Sequence, residues 1–143
     1  MKRLTSALAA ASVIATALPA FADSGLDSMI NAAADAQGIP RNLAHGVIRV
    51  ESNYNCHLRG SHGERGIMQV KPETARSVGV TGNLFDCATG LRAGMLYLSI
   101  AIRRGGTGCS GISLYQRGVS GRPICTAYGR RVLRAANPLH HSE

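Results

Sequence analysis

Apolar residues recur at helical spacing along nearly the whole chain after its first two dozen residues, and this periodicity constrains the fold more than any other feature. Leu26, Met29, Ile30 and Ala33 mark one face of a first helix, with Ser24 as its expected cap and Gly38 as its stop. In "IPRNLAHGVIRVES", Pro40 suits a first helical turn, and Leu43, Val47, Ile48 and Val50 face a core up to about Ser52. A Gly-, Asn- and Ser-rich stretch, "NYNCHLRGSHGERG", then reads as an irregular loop. A short helix is expected in "KPETARSVG", with Pro72 near its start, Glu73 in its first turn and Gly79 at its end. The longest helix follows Asp86, a natural cap, and repeats Leu91, Met95, Leu98 and Ile102. "CSGISLYQRG" and the basic "TAYGRRVLRAA" complete the set, and "NPLHHSE" reads as a frayed tail. The expectation is one all-α domain with at most a small extended element at Ile67–Val70.

The first residues are of another kind. Lys2 and Arg3 precede a mostly apolar run from Leu4 to Leu18, and Ala20 to Ala22 spell "AFA". This is the anatomy of a secretory signal peptide cut after Ala22, leaving residues 23–143 as the domain. The run is short for a membrane anchor, and no later stretch is long enough to span a bilayer, so no stable membrane insertion is expected. Losing Lys2 and Arg3 takes the formal charge from +8 to +6. Thirteen of the fourteen remaining cations are Arg. A basic exported protein points to an anionic partner such as cell wall, a membrane surface or nucleic acid. Nucleic acid is disfavoured, because aromatics are scarce and dispersed and form no stacking platform.

All four cysteines, Cys56, Cys87, Cys109 and Cys125, lie after the leader. An even count in an exported chain favours disulfides. Three pairings are open, and the expected one is Cys56–Cys87 with Cys109–Cys125. No C-x-x-C occurs, so zinc is disfavoured; neither a metal nor a cofactor is expected.

Glu51 is one of eight acidic residues. It falls in the last turn of a predicted helix, where the dipole disfavours a carboxylate. Partial burial by Val47, Val50 and the following loop would act the same way. Both effects raise proton affinity, as a general acid near neutrality requires, whereas Arg49 or Arg65 nearby would oppose them. From position alone, a solvated helix-end glutamate is the plainer reading. Glu64, Glu73 and Asp86 are the downstream options for a second carboxylate, and none has supporting context: a Gly-rich loop, a first helical turn and a helix cap. No G-x-S-x-G elbow supports a serine nucleophile.

From Glu51 onward the sequence resembles the lytic transglycosylase domain of the soluble type, related to goose-type lysozyme. The resemblance rests on Glu51-Ser52, "GERGIMQ" from Gly63 to Gln69, "KPETA" ending at Ala75, "GMLYL" from Gly94 to Leu98, and "LYQRG" with Tyr115. It runs from about Ile39 to Tyr128. It implies a lysozyme-like fold, peptidoglycan glycan strands as substrate, and Glu51 as the single acid/base cleaving the MurNAc–GlcNAc β-1,4 bond with formation of 1,6-anhydro-MurNAc. Gln69 would be a hydrogen-bonding cleft residue and Met68 an apolar wall, although core packing suits Met68 equally. Tyr115 would orient Glu51 by a hydrogen bond. Three positions depart from the family pattern: Gly60 replaces a loop serine, with Ser61 one place later; Gln116 replaces an Asn; Cys87 replaces a Pro, which supports a Cys56–Cys87 bridge. Ser61 and Gln116 are the remaining substrate-binding candidates. A water-using muramidase and a non-catalytic wall-binding module are the alternatives, and a second carboxylate close to Glu51 would favour the muramidase. The expected protein is a free monomer in the periplasm or secreted, and a secretion or wall-remodelling complex is the kind of assembly it would serve.

Overall fold

The computed structural model describes residues 22–138, with side chains from Gly25 onward. The expected leader lies outside the described residues except for Ala22. Six helices follow in order: α1 Ala22–Ala36, α2 Arg41–Ser52, α3 Pro72–Ser77, α4 Cys87–Gly105, α5 Cys109–Arg117 and α6 Ala127–Ala136. Extended structure among the described residues amounts to two isolated bridges, Arg59 with Arg65 and Arg65 with Val70. The small extended element expected at Ile67–Val70 is therefore only the Val70 end of a turn.

Helix α2 packs between α6 and α1, and α4 packs against α1, α3 and α5. Leu43, Val47 and Ile48 are buried, as their spacing predicts, with Ala44 beside them, whereas Val50 is only partly buried. Gly46 lets α6 come close: a Cβ there would sit 2.8 Å from Val132 O and 2.9 Å from Ala136 Cβ. Helix α6 answers with Tyr128, Val132 and Ala136, four residues apart on one buried face, while Arg130, Arg131 and Arg134 stay exposed. Helix α4 buries Leu91, Met95 and Leu98 and is capped by Asp86, whose carboxylate accepts from Thr89 N. Two starts differ from expectation. Helix α1 begins at Ala22, so Ser24 lies inside its first turn rather than capping it. Pro40 is the residue before α2, with ψ at 126°, because its extended ψ keeps it outside the helix. Met29 is 40% exposed at the margin of its face; Ile30 and Ala34 carry the α1 contact instead.

Both expected disulfides are present, Cys56–Cys87 with Cα atoms 5.2 Å apart and Cys109–Cys125 at 4.9 Å. Each anchors the first residue of a helix. Cys87 opens α4 and Cys109 opens α5, whereas Cys125 lies just before α6. By loop length alone each bridge contributes roughly 3–4 kcal/mol. Among the described residues no helix is long and apolar enough to cross a membrane.

Candidate active site

The site is built where α2 ends. Asn53 and Tyr54 both adopt left-handed backbone, φ 48° and 66°. Two such residues cost roughly 1–2 kcal/mol each. The turn is held by the Tyr54 hydroxyl, 3.1 Å from His45 Nδ1 one helix face away, and by Cys56 in its disulfide. The chain is thus forced sharply away from Glu51, which leaves that side chain facing an open cavity rather than the following loop.

The opposite wall is the Gly66–Val70 turn, whose carbonyls are taken up one by one. Ser52 Oγ donates to Ile67 O at 2.6 Å, and Tyr115 Oη donates to Met68 O at 2.8 Å. Gln69 has φ 48°, and its Nε2 donates to Leu58 O and Gly66 O. These bonds leave the Gln69 carboxamide oxygen beside Gly60, 2.8 Å from where a Cβ would stand. Gly60 therefore suits this position: any side chain would collide with Gln69 and Glu64. Ser52, expected only as a helix-end residue, is a buried tie between α2 and this wall.

Met68 is fully buried and lies against Gly94 of α4, leaving no room for a side chain at that glycine. Its side chain does not line the cavity, so core packing is its role. Tyr115 is also buried and spends its hydroxyl on Met68 O, not on Glu51 as expected. The group that reaches Glu51 is Tyr128 of α6, whose hydroxyl donates to Oε1 at 2.6 Å. Tyr97 lies edge-on to Tyr115 and donates nothing to the acid; its hydroxyl instead accepts from Val119 N.

The cavity holds about 510 Å³. Glu51, Gln69 and Tyr115 line it, and so do Ser61 and Gln116. Ser61 Oγ lies 2.9 Å from His62 Nδ1. Two features of the cavity were not foreseen. Glu64 shares it, and Lys71 and Arg117 place cations in its lining.

Burial pushes the Glu51 carboxyl up from 4.5 to about 7. The Tyr128 hydrogen bond works against this rise, the Glu64 charge adds to it, and Arg131 works against it. Arg131, one turn beyond Tyr128 on α6, is thus the opposing cation, rather than Arg49 or Arg65. Burial raises the hydroxyls of both Tyr115 and Tyr128 well above the ordinary tyrosine value, so both remain donors. A carboxyl poised near 7, with one oxygen fixed and an open cavity before it, can both give and take a proton at neutral pH. Among the described residues no three His, Cys, Asp or Glu side chains are grouped so as to hold a metal ion.

Fold and site together define a small helical, lysozyme-like domain braced by two disulfides around one buried carboxyl. The family model for the transglycosylase SLT domain matches residues 28–128, and the chain belongs to that family. A 54-residue stretch is 39% identical to membrane-bound lytic murein transglycosylase F of Shewanella baltica, in each of strains OS155, OS185 and OS195. That stretch is 38% of this chain and 11% of each relative, so the match spans about a tenth of their length.

Proposed function

We propose that the protein is a peptidoglycan lytic transglycosylase with Glu51 as its acid/base. The observation that carries this is the Glu51 carboxyl, held near pH 7 and hydrogen-bonded to Tyr128 at the edge of the cavity of an SLT-family domain. In the reaction, protonated Glu51 donates to the oxygen linking MurNAc to GlcNAc, and the bond from that oxygen to the MurNAc anomeric carbon breaks. The substrate's N-acetyl oxygen attacks that carbon and carries its developing positive charge. The MurNAc C6 hydroxyl then attacks the same carbon, displaces the acetamido oxygen and gives its proton to Glu51. No water is consumed, and Glu51 ends protonated. An intramolecular attacker needs no activated water, so one carboxyl suffices. Gln69, Ser61 and Gln116 are the substrate-binding groups in this reading, and Lys71 and Arg117 suit the carboxylates that peptidoglycan carries.

A second reading has its own support. Glu64 lies in the same cavity as Glu51, and a second carboxylate is what a water-using muramidase employs to orient its nucleophile. Digestion of purified sacculi followed by mass analysis of the muropeptides separates the two. Anhydro products from the wild type, and none from Glu51→Gln, are expected. Products heavier by one water would replace the transglycosylase with a muramidase, and binding without turnover would leave a wall-binding module.

Export belongs to the same proposal. The leader Met1–Ala22 would direct the chain to an oxidising compartment, where both disulfides form. Intact-mass measurement of protein recovered from a periplasmic fraction is expected to give a chain beginning at Asp23.

A further inference from the structure

Glu64 is not a loose surface carboxylate. Its Oε2 accepts from His62 N at 3.0 Å, and its backbone carbonyl accepts from Gly60 N at 2.8 Å, closing the loop that carries it. Lys71 Nζ stands 3.9 Å from its other oxygen. The side chain lies across Gly60, where an added Cβ would come within 2.9 Å of Glu64 Cβ. The absence of a side chain at Gly60 is thus what lets this carboxylate occupy the cavity wall. Hydrogen bonds from its own and the His62 backbone N–H groups, with Lys71, hold it below the usual carboxylate range, so it is ionised at neutral pH.

The groups facing Glu51 come from every side of the site. Helix α6 presents Tyr128 and Arg131, and both favour the ionised carboxylate. Helix α5 presents Tyr115, a neutral phenol, and the cation of Arg117, and α4 presents Tyr97; all three line the cavity. The Gly60–Lys71 segment presents Glu64, with His62 and Lys71 around it. Of these, Glu64 alone carries a negative charge. We propose that Glu64 is a positioning residue: fixed on the wall of the cavity it shares with Glu51, its negative charge supports the proton-bearing form of Glu51 that burial favours, in opposition to Arg131. This rests on the reading of Glu51 as the acid/base and extends it. Lys71 tempers the effect by partly neutralising Glu64.

The test is a direct titration of Glu51 by carboxyl carbon NMR in the wild type and in Glu64→Gln, Glu64→Asp, Lys71→Gln and Arg131→Gln, with rate–pH profiles on sacculi alongside. Glu64→Gln is expected to lower the Glu51 midpoint by on the order of half a pH unit, the size suited to one charge acting across a wet cleft. The alkaline limb of the rate profile should move down with it. Lys71→Gln and Arg131→Gln should move both upward, and Glu64→Asp should restore most of the wild-type midpoint. An unmoved midpoint in Glu64→Gln overturns the proposal, as does a rate loss in that variant with no shift of the alkaline limb. Those results leave the assignment of Glu51 intact. Conversely, if the wild type turns over no glycan, the assignment fails while the titration still decides what Glu64 does to Glu51.

Discussion

Replacing Glu51 by Gln should stabilise the protein, and the gain should depend on pH in a defined way. The folded carboxyl titrates at about 7 and the ordinary value is 4.5, so the folded state binds the proton more tightly than the unfolded chain does. Below 4.5 the carboxyl is neutral in both states and costs nothing. As pH rises the unfolded chain ionises first, and the fold loses stability until Glu51 itself ionises. At roughly 1.4 kcal/mol per pH unit, the rise from 4.5 to about 7 makes a penalty of about 3 kcal/mol that is complete just above pH 7. Gln keeps an oxygen to accept from Tyr128 and never ionises. Urea unfolding of the disulfide-intact protein should therefore show no gap between Glu51→Gln and wild type at pH 4. The gap should reach about 1 kcal/mol by pH 5 and about 3 kcal/mol by pH 7.5, with no growth beyond. The same substitution should abolish glycan cleavage throughout. A stability gap equal at pH 4 and pH 8 would refute the reasoning, because Glu51 would then titrate alike in the folded and unfolded chain.

Tyr128→Phe removes the donor to Glu51 Oε1; the midpoint of the alkaline rate limb should rise, and kcat should fall on the order of tenfold as the carboxyl loses its orientation. Tyr115→Phe strands Met68 O in the core, so the urea midpoint should fall by the equivalent of about 1–3 kcal/mol, with the Glu51 titration much less affected. Gly94→Ala would drive a Cβ to 2.5 Å from Met68 Cβ, a clash that should cost about 1–3 kcal/mol on thermal unfolding. Cys109→Ser with Cys125→Ser should cost roughly 3 kcal/mol and loosen α5 against α6, detectable as faster amide exchange in both helices.

Local signals carried much of the fold. Asp86 as a cap, Pro72 at a helix start, Gly79 at a helix end and the 3.6-residue repeats in α2 and α4 are properties of a few adjacent residues, and all appear where their chemistry puts them. For Glu51 the local facts, a helix end and neighbouring apolar residues, gave the direction of the shift but left a solvated glutamate the plainer reading; burial is what raises its proton affinity. What escaped was who meets whom at long range. Tyr128 sits at the first buried position of a basic amphipathic helix, where an aromatic reads as ordinary core, and nothing near it in the chain points to Glu51. Tyr115 was expected to meet Glu51, but its hydroxyl donates to Met68 O, a partner 47 positions away that no local pattern marks. Glu64 looked unsupported in a Gly-rich loop. Its place depends on the missing side chain at Gly60 and on the loop closure between Gly60 N and Glu64 O, and neither has a signature in one dimension. The one available hint was that "GSHGE" sets glycines on both sides of the turn that delivers the carboxylate.

The bond between Glu51 and Tyr128 spans 77 positions, and Tyr128 belongs to the last helix of the described chain. Order of synthesis therefore matters. A chain emerging from its N-terminus exposes Glu51 well before α6 exists, and at that stage the groove beside Gly46 is bare and Glu51 has no Tyr128 hydroxyl to accept from. When α6 docks it covers α2 at Gly46 and offers the Tyr128 hydroxyl, which fixes one oxygen of Glu51 while opposing the rise in proton affinity that burial brings. A half-made or clipped chain thus lacks the bond that orients Glu51, and the carboxyl is set in place only as the last described helix joins the core.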